Sequence, residues 1–226
     1  IIECVPNFSE GRNKAVIQQI TSAIEAVDGV KLLDVDPGEA TNRTVVTFVG
    51  EPEAVLEAAF QGVKKAAEVI DMRNHKGAHP RMGATDVCPL IPIAGITLEE
   101  CAELAKSLGK RVGEELSIPV YLYEAAAPCE ERRSLSHLRE GEYESLPQKL
   151  GSLPPDFGPR TYNENVARTG ATVIGAREFL IAYNVNLNTK DKKLANEIAL
   201  TIRENGRIKK DKEGNTLRDG NGTALR

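Results

Sequence analysis

The order of its apolar segments is the feature that most limits what this chain can fold into. Short apolar segments typical of β-strands occur at residues 1–5, 30–36, 43–49 and 87–93. Two longer segments, at 16–27 and 51–70, repeat apolar residues at the i, i+3, i+4 and i+7 spacing of an amphipathic helix. The resulting βαββαβ order predicts the α+β class, as a ferredoxin-like α/β sandwich with helices on one face of the sheet.

Capping and turn residues set the expected ends of these elements. Asn7 or Ser9 is placed to cap the first helix. The Asp-Pro-Gly sequence at 36–38 is a turn signal and is expected to close the second strand. Pro89 and Pro92 cannot donate to a sheet ladder, so the fourth strand is expected to be an edge strand or a bulged one.

A third helix is expected after the fourth strand. Thr97 is placed to cap it, and Glu100, three residues on, completes the capping-box pattern. Residues 120–123 are apolar and predict a fifth strand.

The rest of the chain is less regular. Periodicity is lost over 125–170, which we interpret as a packed linker with short helices near 134–139 and 142–150. A further strand at 179–187 and a helix at 190–205 then begin a second unit. A single strand and helix cannot bury a core of their own, so this unit either packs on the first or belongs to something longer.

Composition excludes some classes of function. The net charge is −4, aromatic residues make up 4% of the chain and tryptophan is absent, so nucleic-acid binding is not expected. No apolar run reaches the roughly 18 residues that span a bilayer. The four cysteines form no Cys-x-x-Cys pair and no secretory signal begins the chain, which indicates a cytoplasmic protein without a membrane partner. Because the chain begins at Ile1, we expect that a short leader has been removed.

The segment 71–89 contains two of the three histidines, His75 and His79, in a loop broken by glycine and proline. It joins the second helix to the fourth strand and is rich in basic residues. Polar loops held between buried elements often carry catalytic groups. A solvated connector with a basic face is the alternative, because loops are polar for other reasons as well.

The spacing of these histidines does not indicate a metal site. His75 and His79 are four residues apart, like a zinc pair on a helix, but Gly77 and Pro80 forbid a helix here. Lys76 stands where zinc proteases carry a glutamate, and its charge opposes a metal ion. A histidine acting as acid and base is the better interpretation, because its unperturbed pKa of about 6.5 lies near working pH.

Basic neighbours support that interpretation. Arg73, Lys76 and Arg81 favour the neutral form of a nearby histidine, which can accept a proton. They could also bind a carboxylate substrate. His137 lies in the irregular linker and is expected at the surface.

Two other motifs are ambiguous on their residues alone. Asp34 and Asp36 share one face of the second strand and could orient a histidine or hold a substrate amine, but hairpin turns are commonly rich in Asp. The segment 7–12 precedes a helix N-terminus, where either anion binding or plain capping would explain it. The chain contains no P-loop, no Rossmann glycine fingerprint and no Gly-x-Ser-x-Gly elbow.

Several motifs, in sequence order, carry a resemblance to a known family. They are Glu-Cys-Val-Pro-Asn-Phe-Ser-Glu-Gly at 3–11, Leu-Asp-Val-Asp at 33–36, Thr-Asn-Arg-Thr at 41–44, His-Lys-Gly-Ala-His-Pro-Arg-Met-Gly at 75–83, Asp-Val-Cys-Pro at 86–89, Gly-Glu-Tyr-Glu at 141–144 and Pro-Asp-Phe-Gly-Pro at 155–159. The chain resembles glutamate formimidoyltransferase, the transferase domain also found in formimidoyltransferase-cyclodeaminase, from residue 1 to about residue 205.

The resemblance implies two ferredoxin-like subdomains with a folate groove between them. Residues 1–170 would form the first subdomain with its folate-contacting linker, and 171–226 the start of the second. The implied reaction moves the formimino group from N-formimino-L-glutamate to N5 of tetrahydrofolate, a co-substrate, in histidine degradation. The implied protein is a cytoplasmic homodimer that needs no metal.

The match to the family motifs also implies roles for single residues. His79 is the catalytic histidine, and Asp36 is the acidic residue near it. The residues implied in binding substrate or folate are Asn7, Arg43, Lys76, Arg81, Gly158, Pro159, Arg160, Thr161, Tyr162 and Gly170.

The sequence departs from the family pattern in two places. The linker at 160–169 differs from that of animal members, and the second subdomain stops after its first strand and helix. We therefore expect a truncated or split second subdomain. Formyl transfer from N-formylglutamate and folate binding without turnover remain as alternatives, with a metal hydrolase as a distant third.

Overall fold

The chain forms two units, Ile1–Phe179 and Leu180–Arg226. Their computed structural model describes residues 1–181, 185, 187–203, 208–209, 211 and 216–217. No helix within these described residues is both long and apolar enough to cross a membrane.

A mixed seven-stranded sheet organises the first unit. Its strands are β1 (Ile2–Cys4), β2 (Asn7–Phe8), β3 (Val30–Gly38), β4 (Arg43–Gly50), β5 (Thr85–Pro92), β6 (Val120–Glu124) and β7 (Thr172–Ala176). Across the sheet the order is β3, β4, then β1 and β2 end to end, β5, β7 and β6. Pairs up to β5 are antiparallel, whereas β7 runs parallel to both β5 and β6.

The helices of the described residues follow the expected pattern in the first half of the chain. They are α1 (Lys14–Glu25), α2 (Pro52–Val69), α3 (Leu98–Leu116), α4 (Leu135–Leu138), α5 (Leu146–Ser152), α6 (Glu164–Thr169) and, in the second unit, α7 (Lys192–Ile202). Thr97 and Glu100 form the predicted capping box of α3. The long helices confirm the 3.6-residue periodicity, because their apolar stripes are the faces that become buried.

Each face of the sheet carries its own core. Side chains such as Phe48, Leu90 and Leu108 fill the core between the sheet and α1–α3. On the other face, Tyr121 and Val173 pack under the segment between β6 and β7. That segment covers only the β5–β7–β6 part of its face, so the β3–β4 part of the same face is half-exposed.

The helix cap was predicted wrongly at α1. Its N-cap is Asn13, whose side chain accepts hydrogen bonds from the N–H groups of Ala15 and Val16. Asn7 instead lies in β2, between β4 and β5, and the hydroxyl of Ser9 donates to the Gly83 carbonyl at 2.7 Å. Long-range strand pairing thus takes both residues that local preference assigned to capping.

The predictions for the two proline-containing strands, β3 and β5, had different outcomes. β3 continues through the predicted turn at 36–38, because an edge strand tolerates Pro37 in its ladder. β5 was expected to be an edge strand or a bulged one, and it is a central strand with a bulge, so the second alternative is confirmed. Its register pairs Asn7 with Val87 and Phe8 with Thr85, which leaves Asp86 as the bulged residue.

The predictions after residue 170 need several corrections. Strand β7, which joins the first unit's sheet, was not predicted, and neither was α6 in the linker. Phe179–Leu187 was predicted as a strand, but its described residues, 179–181, 185 and 187, have no regular structure; 182–184 and 186 lie outside the described residues. The predicted helix at 190–205 corresponds to α7, and residues 204–205 again lie outside them.

Candidate active site

Three loops meet at one end of the sheet, and Asn42 joins them. Its backbone has a positive φ of 49°, in the left-handed region that Asn tolerates. Its side-chain oxygen accepts the N–H of Gly11 at 3.0 Å, and its side-chain nitrogen donates to the Lys76 carbonyl at 2.9 Å. Its own carbonyl lies 2.9 Å from Nε2 of His75. The Thr-Asn-Arg-Thr motif therefore holds the histidine loop against the β2–α1 turn.

Glycine allows these loops to touch backbone to backbone. A Cβ on Gly77 would lie 2.2 Å from the Thr41 carbonyl oxygen, and one on Gly11 would lie 2.4 Å from the Gly38 carbonyl oxygen. Neither contact is possible for a larger residue without displacing the backbone. The loop positions are thus fixed by residues that carry no chemistry themselves.

His79 lies against an arginine. The Nη1 of Arg43 is 2.6 Å from Nε2 of His79, and because an arginine N–H can only donate, Nε2 is the acceptor. A neutral imidazole in this geometry carries its proton on Nδ1. Among the described residues, no group meets hydrogen-bond geometry with Nδ1 of His79 or Nε of Arg43, although both atoms are buried; the Pro80 backbone acts on the imidazole but lies outside that geometry. Unpaired buried polar atoms are costly, and here they mark a place where a ligand can supply partners.

Burial and positive charge keep this histidine neutral. Desolvation, followed by the charges of Arg43 and Arg139, lowers the pKa of His79 to about 4. At neutral pH the imidazole is therefore unprotonated on Nε2, and the lone pair of that nitrogen accepts the hydrogen bond from Arg43. The general expectation of a neutral histidine among basic residues is supported, but its basic neighbours are Arg43 and Arg139 rather than those within the loop.

Asp86 and Arg139 were missed by sequence reasoning. Asp86 is buried and accepts hydrogen bonds from the Met82 N–H at 2.9 Å and from Nε of Arg139 at 3.3 Å, while Nη2 of Arg139 donates to its other oxygen. Burial raises the pKa of Asp86, and Arg139 opposes that rise. Asp86 could have been identified from the sequence, because it is a carboxylate directly before the apolar segment at 87–93. Arg139 lies in the aperiodic linker, where no sequence pattern distinguishes it.

Arg81 and His75 are hydrogen-bonded to each other, and Arg81 also binds two glutamates. Arg81 donates from Nε to Nδ1 of His75 at 3.2 Å and forms two 2.8 Å hydrogen bonds with Glu144 and one of 2.9 Å with Glu142. The hydrogen bonds to Glu144 are the main reason that the pKa of Arg81 is raised. With its guanidinium engaged in this way, Arg81 holds the loop in the ligand-free arrangement, and its expected role in binding a substrate carboxylate stays a prediction. His75 has both nitrogens occupied, so His79 is the available histidine.

Asp36 reaches the site through Arg43. Strand register aligns Asp36 with Val45, Val45 with Asn7, and Asn7 with Val87, so these four residues form a row on one face of the sheet, exposed at Asp36 and buried at Val87. Asp36 is exposed, and its charge acts on Arg43. Within the described part of the chain, no hydrogen bond joins Asp36 to His79. Asn7 uses its side-chain nitrogen to donate to the Val5 carbonyl at 3.1 Å.

The residues of this site lie in a stretch of sequence that matches a known protein family. Residues 1–177 match the formiminotransferase domain, N-terminal subdomain, and residues 182–223 match the formiminotransferase domain. The chain belongs to the formiminotransferase family.

Relatives of two kinds share this membership. Formimidoyltransferase-cyclodeaminase of Rattus norvegicus is 54% identical over 212 residues, which cover 92% of this chain and 38% of the relative. Glutamate formimidoyltransferase of Thermoplasma acidophilum is 50% identical over 90% of this chain and 67% of the relative. The enzyme of the same name from Streptococcus pyogenes is 47% identical, over 91% and 69% respectively. The chain thus spans well under half of the cyclodeaminase relatives and about two thirds of the transferases.

The formiminotransferase linker approaches the histidine loop at two of its predicted folate residues. Gly170 has a positive φ of 69°, and a Cβ there would lie 2.2 Å from the Met82 carbonyl oxygen. The Tyr162 hydroxyl is 3.4 Å from that of Tyr143, whose ring lies beneath the Arg81 guanidinium. These contacts place both residues beside the loop that carries His79.

The other predicted folate residues are less closely associated. Gly158 has a φ of 81° and packs where a Cβ would lie 2.2 Å from the Ile118 carbonyl oxygen, so its conformation has a structural cause. Pro159 is half-buried, and Arg160 and Thr161 are exposed. Lys76 is exposed as well, and its charge assists Arg81 in lowering the pKa of Glu144.

Proposed function

We propose that this chain acts as a glutamate formimidoyltransferase, moving the formimino group of N-formimino-L-glutamate to N5 of tetrahydrofolate and releasing glutamate. The observation that carries the proposal is a neutral His79 with an unpaired Nδ1, held against Arg43 within a formiminotransferase-family sequence. Tetrahydrofolate enters as a co-substrate, and the proposal requires no metal.

In this proposal His79 moves one proton. N5 attacks the formimino carbon, and a bond to that carbon forms while its C=N electrons move to nitrogen. His79 accepts the N5 proton and then donates it to the glutamate nitrogen as the old C–N bond breaks. Holding both substrates together supplies much of the rate, because the reaction is otherwise bimolecular.

Arg43 must leave His79 before this can happen at Nε2. In the ligand-free arrangement its Nη1 occupies the lone pair of that nitrogen. A substrate carboxylate makes stronger, charge-assisted hydrogen bonds to a guanidinium than an imidazole does, so it would draw Arg43 away. The same carboxylate would offset positive charge beside the imidazole and bring the pKa of His79 up from about 4 towards working pH.

The remaining site residues divide by chemistry. Arg43 and the exposed Lys76 are suited to substrate carboxylates, and Asp36 to orienting Arg43. We assign folate contacts to one residue of β2 and to six residues of the linker. These are Asn7, Gly158, Pro159, Arg160, Thr161, Tyr162 and Gly170.

The finer architecture also belongs to this proposal. The order β3, β4, β1 with β2, then β5 is that of a ferredoxin-like unit extended by β7 and β6, which supports the split βαβ interpretation. The proposed protein is a cytoplasmic homodimer. The first subdomain, predicted from the sequence as residues 1–170, also takes in β7, because that strand belongs to the first unit's sheet, and the second subdomain begins after it.

A folate-binding module without turnover is the second candidate. It differs from the first proposal in a measurable way, because it predicts folate binding without product.

One assay separates these candidates. The 226-residue chain is incubated with tetrahydrofolate and either N-formimino-L-glutamate or N-formylglutamate, and the N5 product is followed for wild type, His79→Gln and the matched surface variant His137→Gln. Turnover that is lost only in His79→Gln supports the transferase, and the preferred donor separates formimino from formyl transfer. Folate binding without product in wild type supports the binding module instead.

A further inference from the structure

His75 contacts the peptide unit from which the Arg43 side chain extends. Nε2 of His75 lies 2.9 Å from the carbonyl oxygen of Asn42, and the carbon of that carbonyl is bonded to the backbone nitrogen of Arg43. The Nη1 of Arg43 in turn lies 2.6 Å from Nε2 of His79. The two histidines of the loop are therefore linked through one peptide unit and one arginine side chain.

The other ring nitrogen of His75 fixes its tautomer. Nε of Arg81 lies 3.2 Å from Nδ1 of His75, and because an arginine N–H can only donate, Nδ1 is the acceptor. Burial lowers the pKa of His75, which keeps the ring neutral at working pH. A neutral imidazole that accepts at Nδ1 carries its proton on Nε2, so this nitrogen donates to the Asn42 carbonyl. Arg81 is itself held by Glu142 and Glu144, so the direction of the His75 hydrogen bond is set from the linker.

Other hydrogen bonds already hold the two segments together. The Ala78 N–H donates to the Ala40 carbonyl at 3.2 Å, and the Asn42 side chain donates to the Lys76 carbonyl at 2.9 Å. What the His75 contact adds is the orientation of the peptide unit between residues 42 and 43. A carbonyl that has lost its donor can rotate about the flanking backbone torsions, and the side chain that follows it then changes direction.

We propose that His75 is a positioning residue of the site: its Nε2–H holds the peptide unit between Asn42 and Arg43, and so places the Arg43 guanidinium on Nε2 of His79. The loop uses its two histidines differently, one to hold the arginine and the other to move the proton. The inference rests on the proposed function only in treating His79 as the base and Arg43 as the ligand of the donor's carboxylate.

Two substitutions of His75 separate its two contacts. His75→Gln keeps an N–H donor near the position of Nε2, so it can still bind the Asn42 carbonyl. His75→Asn keeps an acceptor near Nδ1 for Arg81 but is too short to reach that carbonyl. The matched control is His137→Asn, because His137 is exposed and lies on a different element, α4.

The first readout is the ring of His79, which needs no turnover. The chain has three histidines, so the ring nitrogen resonances of the full chain can be assigned by NMR with His79→Gln and His137→Gln. In wild type, His75→Gln and the control, we expect the neutral ring of His79 to keep Nε2 unprotonated. In His75→Asn we expect a mixture of both tautomers and a rise in the pKa of His79 by about 1 unit, because the donor and charge of Arg43 move away.

The order of the two variants decides the outcome. Equal changes at His79 in His75→Gln and His75→Asn would mean that only the packing of the ring matters, and would overturn the proposal. A larger change in His75→Gln would overturn it in favour of the Arg81 contact. An unchanged His79 ring in His75→Asn would also contradict it.

Steady-state kinetics give the second readout. His75→Asn should lower kcat/KM by about 10- to 100-fold, with KM for the formimino donor raised more than KM for tetrahydrofolate, because the misplaced group is the donor's ligand. His75→Gln should recover most of this loss. Absence of turnover in wild type would count against the proposed function and leave the ring measurements unaffected, so the two proposals can fail separately.

A measurement on wild type keeps the test decisive if His75→Asn does not fold. The proposal requires the neutral ring of His75 to carry its proton on Nε2, where it faces the Asn42 carbonyl. Long-range correlation spectra of the ring show which nitrogen is protonated. A proton on Nδ1 of His75 would contradict the proposal without any substitution.

Discussion

The guanidinium of Arg43 donates a hydrogen bond across 2.6 Å to Nε2 of His79. A cation placed on the lone pair of a base both blocks that base and keeps it neutral. The relationship therefore describes a resting site, one that a negatively charged substrate can convert by attracting the arginine.

His79→Gln is expected to lower kcat by roughly 100- to 10,000-fold, the usual contribution of a general acid–base group. Folate affinity should change little, because the variant keeps most of the side-chain volume. The measurement is initial rate together with tetrahydrofolate binding, and His137→Gln serves as the surface control. Wild-type turnover in His79→Gln would remove the histidine from the mechanism.

Arg43→Gln is expected to raise the pKa of His79, since it removes the like charge and the donor at Nε2. It should also raise KM for the formimino donor more than for tetrahydrofolate, because a carboxylate ligand is lost. Arg133→Gln is the control, because it removes an exposed arginine whose ion pair is with Glu130. Equal changes in both KM values would argue against a donor-carboxylate role.

The acid limb of kcat/KM should lie well below the ordinary histidine range of about 6.5, near the pKa of about 4 that burial, Arg43 and Arg139 produce. The profile is measured in buffers of constant ionic strength. An acid limb centred near 6.5 would show that the base is not in this environment.

The free energy of unfolding should also depend on the protonation of His79, and it should fall as the pH falls. Between pH 6.5 and 4 the unfolded chain protonates His79 while the folded chain does not, so the free energy of unfolding falls as pH falls. We expect wild type to lose about 1 kcal/mol more than His79→Gln between pH 7 and pH 5, measured by urea unfolding. The lowered pKa of His75 adds a fall that both proteins share.

Arg81→Ala is expected to lower the free energy of unfolding by about 2 kcal/mol, because it leaves His75 without its donor and opens the loop. The loss stays below that of a fully buried pair because Glu142 and Glu144 can rehydrate. Arg133→Ala removes an exposed ion pair with Glu130 and should cost less than about 0.5 kcal/mol. Similar losses in the two variants would contradict the role assigned to Arg81.

Gly77→Ala is expected to cost roughly 2 kcal/mol and to displace the histidine loop, because its Cβ would meet the Thr41 carbonyl oxygen at 2.2 Å. Gly151→Ala is the matched control, because nothing lies within 4 Å of its added Cβ and Gly151 lies within α5. That control should be neutral or stabilising by up to about 0.5 kcal/mol. Unfolding midpoints of both variants check the pair.

Much of the fold was predictable because it depends on local periodicity. The stripes of α1 and α2 and the Thr97–Glu100 capping box are short-range patterns, and the structure confirms them. The error at Asn7 has a different origin. Asn7 is a residue type that favours helix capping. In the folded chain it lies in β2 and pairs with β4 and β5, and those strands are too far away in sequence for a local pattern to reveal the pairing.

The residues of the site were likewise predicted from the sequence, whereas their contacts were not. The sequence singled out His75, His79 and Arg81 as one basic loop, but it could not assign their partners. Arg81 turns to Glu144, and His79 turns to Arg43, because the folded loops bring these distant residues into contact. The contact between Asp86 and Arg139 could not be predicted for the same reason.

By itself, the sequence determined the family, the helix and strand periods and the loop that carries the chemistry, since each of these is written in residues close together along the chain. Only the tertiary structure decided which histidine keeps an available nitrogen and which arginine faces it. The physical reason is that burial and charge act through space: the low pKa of His79 comes from desolvation and from Arg43 and Arg139, which are remote in sequence and meet only in the folded protein.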